Sequence, residues 1–127
     1  MRKPLPRPTD AELAILRVLW DHGPATVRHV HEALSGTRET GYTTTLKLMQ
    51  IMAEKGLVRR DESARTHVYA ARLPQEETQR QLVSHLLDRA FGGSAAELVL
   101  QALKAGETSP DQLRQIQELI DSHRGAE

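Results

Sequence analysis

The sequence contains no cysteine, which excludes a disulfide framework and any thiolate metal site and fits a reducing cytoplasm. No apolar run approaches the roughly 20 residues of a membrane span. The opening Met1-Arg2-Lys3-Pro4-Leu5-Pro6-Arg7-Pro8 is basic and proline-rich, with no apolar stretch of signal-peptide length behind it. These absences point to a soluble cytoplasmic protein with no membrane insertion. Catalytic signatures are missing too: no Gly-rich phosphate loop, no Cys nucleophile, no serine in a nucleophile elbow. Glu76-Glu77 is an acidic pair where a helix start favours one, so nothing here asks for an enzyme or a cofactor. Six histidines (His22, His29, His31, His67, His85 and His123) lack the convergent spacing of a metal site. His29 and His31 stand two apart and point to different sides of a helix.

Net charge is absent as well, but the balance of 17 basic and 17 acidic residues hides a split. Residues 1–73 carry 12 Lys/Arg against 8 Asp/Glu, a net of +4, and residues 74–127 carry the compensating −4. A basic half joined to an acidic half suggests a polyanion partner at one end only. The 127 residues suffice for one modest core, or a small domain with an appendage.

Start and stop signals divide the chain. Thr9-Asp10-Ala11-Glu12 is a capping box ahead of an apolar stripe of Leu13, Ile15, Leu16, Leu19 and Trp20, and Asp21-His22-Gly23-Pro24 ends that helix. Thr26 caps a short second helix that turns Val27, Val30 and Leu34 inward and stops at Ser35-Gly36-Thr37. A third helix begins near Tyr42, with one of Thr43, Thr44 and Thr45 expected to cap it. It buries Thr45, Leu48, Met49 and Met52, and Lys55-Gly56 closes it with a left-handed glycine. The period then changes to strand (57–60), polar turn (61–64) and strand (65–70), without the Asn-Gly of a tight hairpin. Pro74 opens a second half of three helices: Gln75 to about Phe91, a stretch after Ser94-Ala95-Ala96-Glu97 that stops at Gly106, and a last one started by Ser109-Pro110.

Three short helices followed by a basic hairpin suit DNA. A helix-turn-helix presents its second helix to the major groove. Here that helix is 42–55, and its outward side is Thr43, Thr44, Lys47, Gln50 and Ile51. Hydroxyls near its start approach phosphates and base edges closely, and Lys47 reaches a phosphate or a guanine edge. The hairpin becomes a wing that brings Arg59, Arg60, Arg65 and His67 to the adjacent backbone or minor groove. The expected architecture is a mainly α fold with an α+β wing: a winged helix-turn-helix head over residues 1–73 and a helical dimerisation region over 74–127.

The chain resembles the penicillinase-repressor (BlaI/MecI/CopY) family over nearly its whole length. The resemblance rests on Leu13-Ala14-Ile15-Leu16-Arg17-Val18-Leu19-Trp20, on Tyr42-Thr43-Thr44-Thr45-Leu46, and on Met49, Met52 and Lys55-Gly56-Leu57-Val58. It continues in Arg65-Thr66-His67-Val68-Tyr69, Phe91-Gly92-Gly93 and Leu98-Val99. It implies a homodimeric repressor on a pseudo-palindromic double-stranded operator. It also implies a membrane-bound metalloprotease sensor that triggers cleavage in the tail, at a position matching Gln101-Ala102. Members known to be cut carry Asn-Phe there, so the departure weighs against cleavage at this bond and leaves DNA binding untouched. The copper-responsive relatives use C-terminal cysteines that this chain lacks. Basic residues are frequent among relatives at the position of Ile51, which leaves Lys47 as the one mid-helix cation.

The tail also argues for a dimer by itself. Leu82, Leu86, Phe91, Leu98, Val99, Leu103, Leu113, Ile116, Leu119 and Ile120 are too many apolar residues for an open set of short helices, and a second copy would bury them. Two rival readings stand beside the repressor: a winged-helix scaffold for protein interaction and a metal-responsive regulator.

Overall fold

The computed structural model describes residues 7–36 and 40–125. The proline-rich opening up to Pro6 and Thr37 of the expected second-helix stop lie outside them. The elements run α1 (Asp10–His22), β1 (Ala25–Thr26), α2 (Val27–Leu34), α3 (Tyr42–Lys55), β2 (Val58–Asp61), β3 (Val68–Ala71), α4 (Gln75–Ala90), α5 (Ala95–Ala105) and α6 (Pro110–Gly125). They form two compact units, Met1–Val83 and Ser84–Glu127, with the change from one to the other inside α4.

The first unit is a winged helix. Its capping box forms as expected: the Thr9 hydroxyl accepts from the Glu12 amide, and the Glu12 carboxylate accepts from the Thr9 amide. Thr26 caps α2 through the His29 amide. Gly56 takes the left-handed conformation at φ 85°, and the Leu57 amide donates back to the Met52 carbonyl at 2.9 Å. This is the six-residue closure that ends a helix at glycine. A side chain at residue 56 would carry left-handed strain and press on the Arg72 guanidinium at 2.8 Å. The core gathers Ile15, Leu16 and Leu19 of α1, Val27 and Val30 of α2, Met49 and Met52 of α3, and Leu57, Val58 and Tyr69 around the sheet. Trp20 fastens the far end of the wing by donating its indole N–H to the Leu73 carbonyl at 3.0 Å.

Three local expectations change. No threonine caps α3; Gly41 stands at its N-cap without a side-chain bond, and buried Thr45 donates its hydroxyl back to the Gly41 carbonyl. The sheet has a third strand: β1 pairs with β3 through Ala25–Tyr69 and Thr26–Val68, giving the antiparallel order β1-β3-β2. Two residues are too short a run to show periodicity, and Thr26 already serves α2. Finally, β3 begins at Val68, so Arg65, Thr66 and His67 lie in a loop. Asp61 opens that loop by accepting from the Ser63 amide at 2.9 Å. This bond, then that of the Ser63 side chain, holds the Asp61 carboxyl below its ordinary range.

Glu12 is the one buried charged residue among the described residues. Its side chain is 2% exposed, and Lys55 reaches it from the last turn of α3 at 2.9 and 3.1 Å. The carboxylate thus serves the start of α1 and the end of α3 together, each with the charge that its helix terminus favours. In the second unit, by contrast, α5 and α6 bury no residue. Ser94 and Ser109 cap these two helices, and Gln112 completes a capping box with Ser109.

Lys55→Met leaves a buried carboxylate without its cation. The expected cost is roughly 2–3 kcal/mol in urea unfolding, below the ~3–5 of fully buried pairs because the Lys55 side chain is 35% exposed. An unchanged midpoint would remove the pair from the stability of the head. Burial pushes the Glu12 carboxyl up, but the Thr9 amide, the Lys55 ammonium and the Thr9 hydroxyl outweigh it, so it sits below its ordinary 4.5. A depressed folded value means that this stabilisation is complete above the ordinary value and is lost as pH falls through the folded one. Glu12→Gln should flatten that part of the acid limb.

Candidate nucleic-acid interface

The α3 helix divides by exposure. Thr45, Met49 and Met52 are buried against the core, whereas Thr43, Thr44, Lys47 and Gln50 are exposed. Ile51 is half-buried and so leaves the outward face on which the pattern had put it. Tyr42 at the start of the helix and Glu54 near its end are exposed too, and this exposed side is held by a helix whose far side is locked in the core. Such a face can donate and accept along a groove floor while staying rigid.

The wing stands beside it. Arg59 and Arg60 are exposed on β2, and Arg60 pairs across the ladder with Tyr69. Arg60 is not a free cation: the Tyr69 side chain and then the Glu62 carboxylate, 2.7 Å away, hold its guanidinium firmly charged and partly neutralised. Arg65 and His67 are exposed in the loop between the strands. Arg65, His67 and Gln50 line one concavity with the start of α2, so the structure brings together the helix face and the wing loop. Gln50 and Arg60 line another on the opposite flank.

Sequence reasoning missed a group on the α2 side. The Arg28 guanidinium lies 5.7 Å from the centroid of the Tyr42 ring, and His31 meets the same ring edge-on at 5.8 Å. Arg28 and His31 are one turn apart on α2, which was a visible signal. Their shared target across the α2–α3 loop was not. His29 turns away to pack edge-on against His22 at 4.7 Å, so the two histidines of α2 serve different partners.

The sequence profile of the penicillinase repressor family matches residues 8–122. The chain belongs to the penicillinase repressor family. The transcriptional regulator BlaI of Mycobacterium tuberculosis is 35% identical over 124 residues, covering 95% of this chain and 90% of that protein. The penicillinase repressor of Bacillus licheniformis is 22% identical over 122 residues, 96% of this chain and 95% of its own. Among solved structures, the DNA-binding domain of the repressor BlaI matches with a TM-score of 0.52 at 25% identity, covering 60% of this chain and 93% of that one. The Bacillus licheniformis BlaI monomeric form in complex with the blaP half-operator matches equally well.

Lys47→Ala should weaken binding to the chain's own upstream duplex by about 1–3 kcal/mol, read by fluorescence anisotropy, as for a side chain at a base edge. No effect would remove Lys47 from the interface. Arg65→Ala should weaken operator and unrelated duplex alike, and a loss confined to one base position would contradict a backbone contact.

Proposed function

We propose that this protein represses transcription as a homodimer, placing two copies of α3 in successive major grooves of a pseudo-palindromic operator. As a member of its family the chain is a DNA-binding transcriptional repressor and not an enzyme. The observation that carries the reading is the exposed face of Thr43, Thr44, Lys47 and Gln50, backed by a buried stripe and flanked by the Arg65–His67 loop. That a BlaI relative of the same fold forms a complex with a half-operator supports DNA as the ligand. Affinity comes largely from phosphate contacts and falls steeply with salt, and repression is steric. The protein works in the cytoplasm, where its operator is.

The second copy is argued from the tail. Eight of the nine exposed large apolar side chains among the described residues lie between Val83 and Ile120, including Leu86, Val99, Leu103, Leu113, Leu119 and Ile120. Leu82, Phe91, Leu98 and Ile116 are only half-buried. A monomer does not keep so much apolar surface in water without a use for it, and an isologous two-fold pairing buries it twice over. Each leucine fully covered contributes about 1.5–3 kcal/mol. The two-fold axis also sets the half-sites one helical turn, ~34–36 Å, or a multiple apart.

Release by a membrane-bound metalloprotease sensor, which the resemblance implies, would act on α5. Gln101 and Ala102 are exposed there, but both lie inside the helix. A protease needs extended backbone, so a cut at this bond requires local unwinding of α5 first.

Two measurements test the reading. The purified chain should bind its own upstream promoter duplex at low salt, and no binding would leave the interaction-scaffold reading in its place. Leu113→Glu with Leu119→Glu should halve the mass seen by sedimentation. The same pair should reduce binding of a full operator to the level of a half-operator. A double variant that remains dimeric would contradict pairing through α6.

A further inference from the structure

We propose that Arg28 and Arg65 form a phosphate cradle for the DNA strand that passes between α3 and the wing, with Tyr42 as the platform that holds Arg28 ready. The inference rests on the DNA-binding reading above and adds a contact from α2 to it. Its ground is a concavity of about 500 Å³ whose lining includes Arg28 from α2, Tyr42 and Gln50 from α3, and Arg65 and His67 from the wing loop. Tyr42, Leu46 and Gln50 stand four apart, so the α3 wall is a single stripe along the helix.

The charged side chains among the described lining residues are of one sign. Among the described residues, two guanidiniums and an imidazole line it, and no carboxylate does. Arg60, on the other flank of α3, is by contrast already engaged by Glu62 at 2.7 Å. Arg28 is also preset. Its guanidinium faces the Tyr42 ring at 5.7 Å, and His31 braces that ring from another side at an interplanar angle of 85°. A guanidinium held over a ring by cation–π attraction can still turn N–H donors toward a phosphate, whose two oxygens its fork matches.

Position decides the ligand. A helix in the major groove and a wing in the adjacent minor groove are separated by one sugar-phosphate strand. A cationic hollow bounded by that helix and that wing lies on the path of the strand, so the phosphate belongs to the DNA backbone.

The test uses the full chain as wild type, Arg28→Ala, Arg28→Lys, Tyr42→Leu and the Arg28→Ala/Tyr42→Leu double variant. Each is titrated with its own upstream duplex and with a scrambled duplex between about 50 and 200 mM salt, with urea midpoints confirming the fold. Arg28→Ala should lower the slope of log K against log salt by about 0.9, the value of one lost phosphate contact. It should cost the same fold in affinity on both duplexes. Arg28→Lys should keep the slope. Tyr42→Leu should weaken binding when Arg28 is present and add nothing in Arg28→Ala. A wild-type slope and affinity for Arg28→Ala would overturn the cradle, and so would a loss confined to the operator duplex. A Tyr42→Leu effect of equal size in both backgrounds would overturn the platform. Inorganic phosphate added at fixed ionic strength should compete no better than chloride; strong competition would mark a small-anion site instead. If the wild type binds neither duplex, the DNA-binding reading itself fails, an outcome distinct from any of these.

Discussion

The carboxylate of Glu12 holds the reading head together. It is almost completely buried, it closes the start of α1 through the Thr9 amide, and it takes the Lys55 ammonium at the end of α3. Burial by itself makes a carboxylate costly, so both partners are required for the charge to remain. What the pair fixes is an angle and a depth. With its last turn tied to α1 and its Met49 and Met52 in the core, α3 cannot roll about its own axis. Thr43, Thr44, Lys47 and Gln50 therefore stay on the outside. A groove reader needs that constraint, because a face that rolls by one residue presents the wrong donors to the base edges.

The rest of the head extends the same frame toward a polyanion. The sheet order β1-β3-β2 puts the wing strands next to the strand that leads into α2, and the Trp20–Leu73 bond secures the wing's far end to α1. Cations then stand on both flanks of α3, Arg28 and Arg65 on one and Arg60 on the other, with Lys47 on the helix itself. They are not equivalent. Glu62 screens Arg60, while Arg28 lies over the Tyr42 ring and, among the described residues, forms no salt bridge. The net charge of zero is thus compatible with a phosphate partner, since the acidic excess lies in residues 74–127.

Most of the head was legible in the chain because its signals are local. A capping box, a capping threonine and a left-handed glycine mark α1, α2 and the end of α3, and each acts within a few residues of itself. Apart from the N-cap of α3, where Gly41 stands instead of a threonine, the errors fall where the deciding partner is distant or the run is short. Glu12 reads as half of a capping box, and Lys55 as a helix-terminal cation; their pairing spans 43 positions. β1 is two residues long and exists only because Tyr69 and Val68 lie alongside. Arg65, Thr66 and His67 have strand-like composition, yet the ladder begins at Val68 and leaves them in the loop. The Arg28–Tyr42 contact crosses the α2–α3 loop and has no sequence period at all. The tail was legible as apolar stripes, and Leu113, Leu119 and Ile120 of α6 are exposed.

The central claim is that the outer face of α3, with the loop of the wing, is where DNA is read. The most direct test is a two-dimensional amide NMR titration of the isotope-labelled full chain with its own upstream duplex. The account predicts that the largest shift changes cluster at Thr43, Thr44, Lys47 and Gln50 and at Arg65 and His67, with Met49 and Met52 changing little. Changes concentrated instead on α5 and α6, with α3 silent, would contradict it.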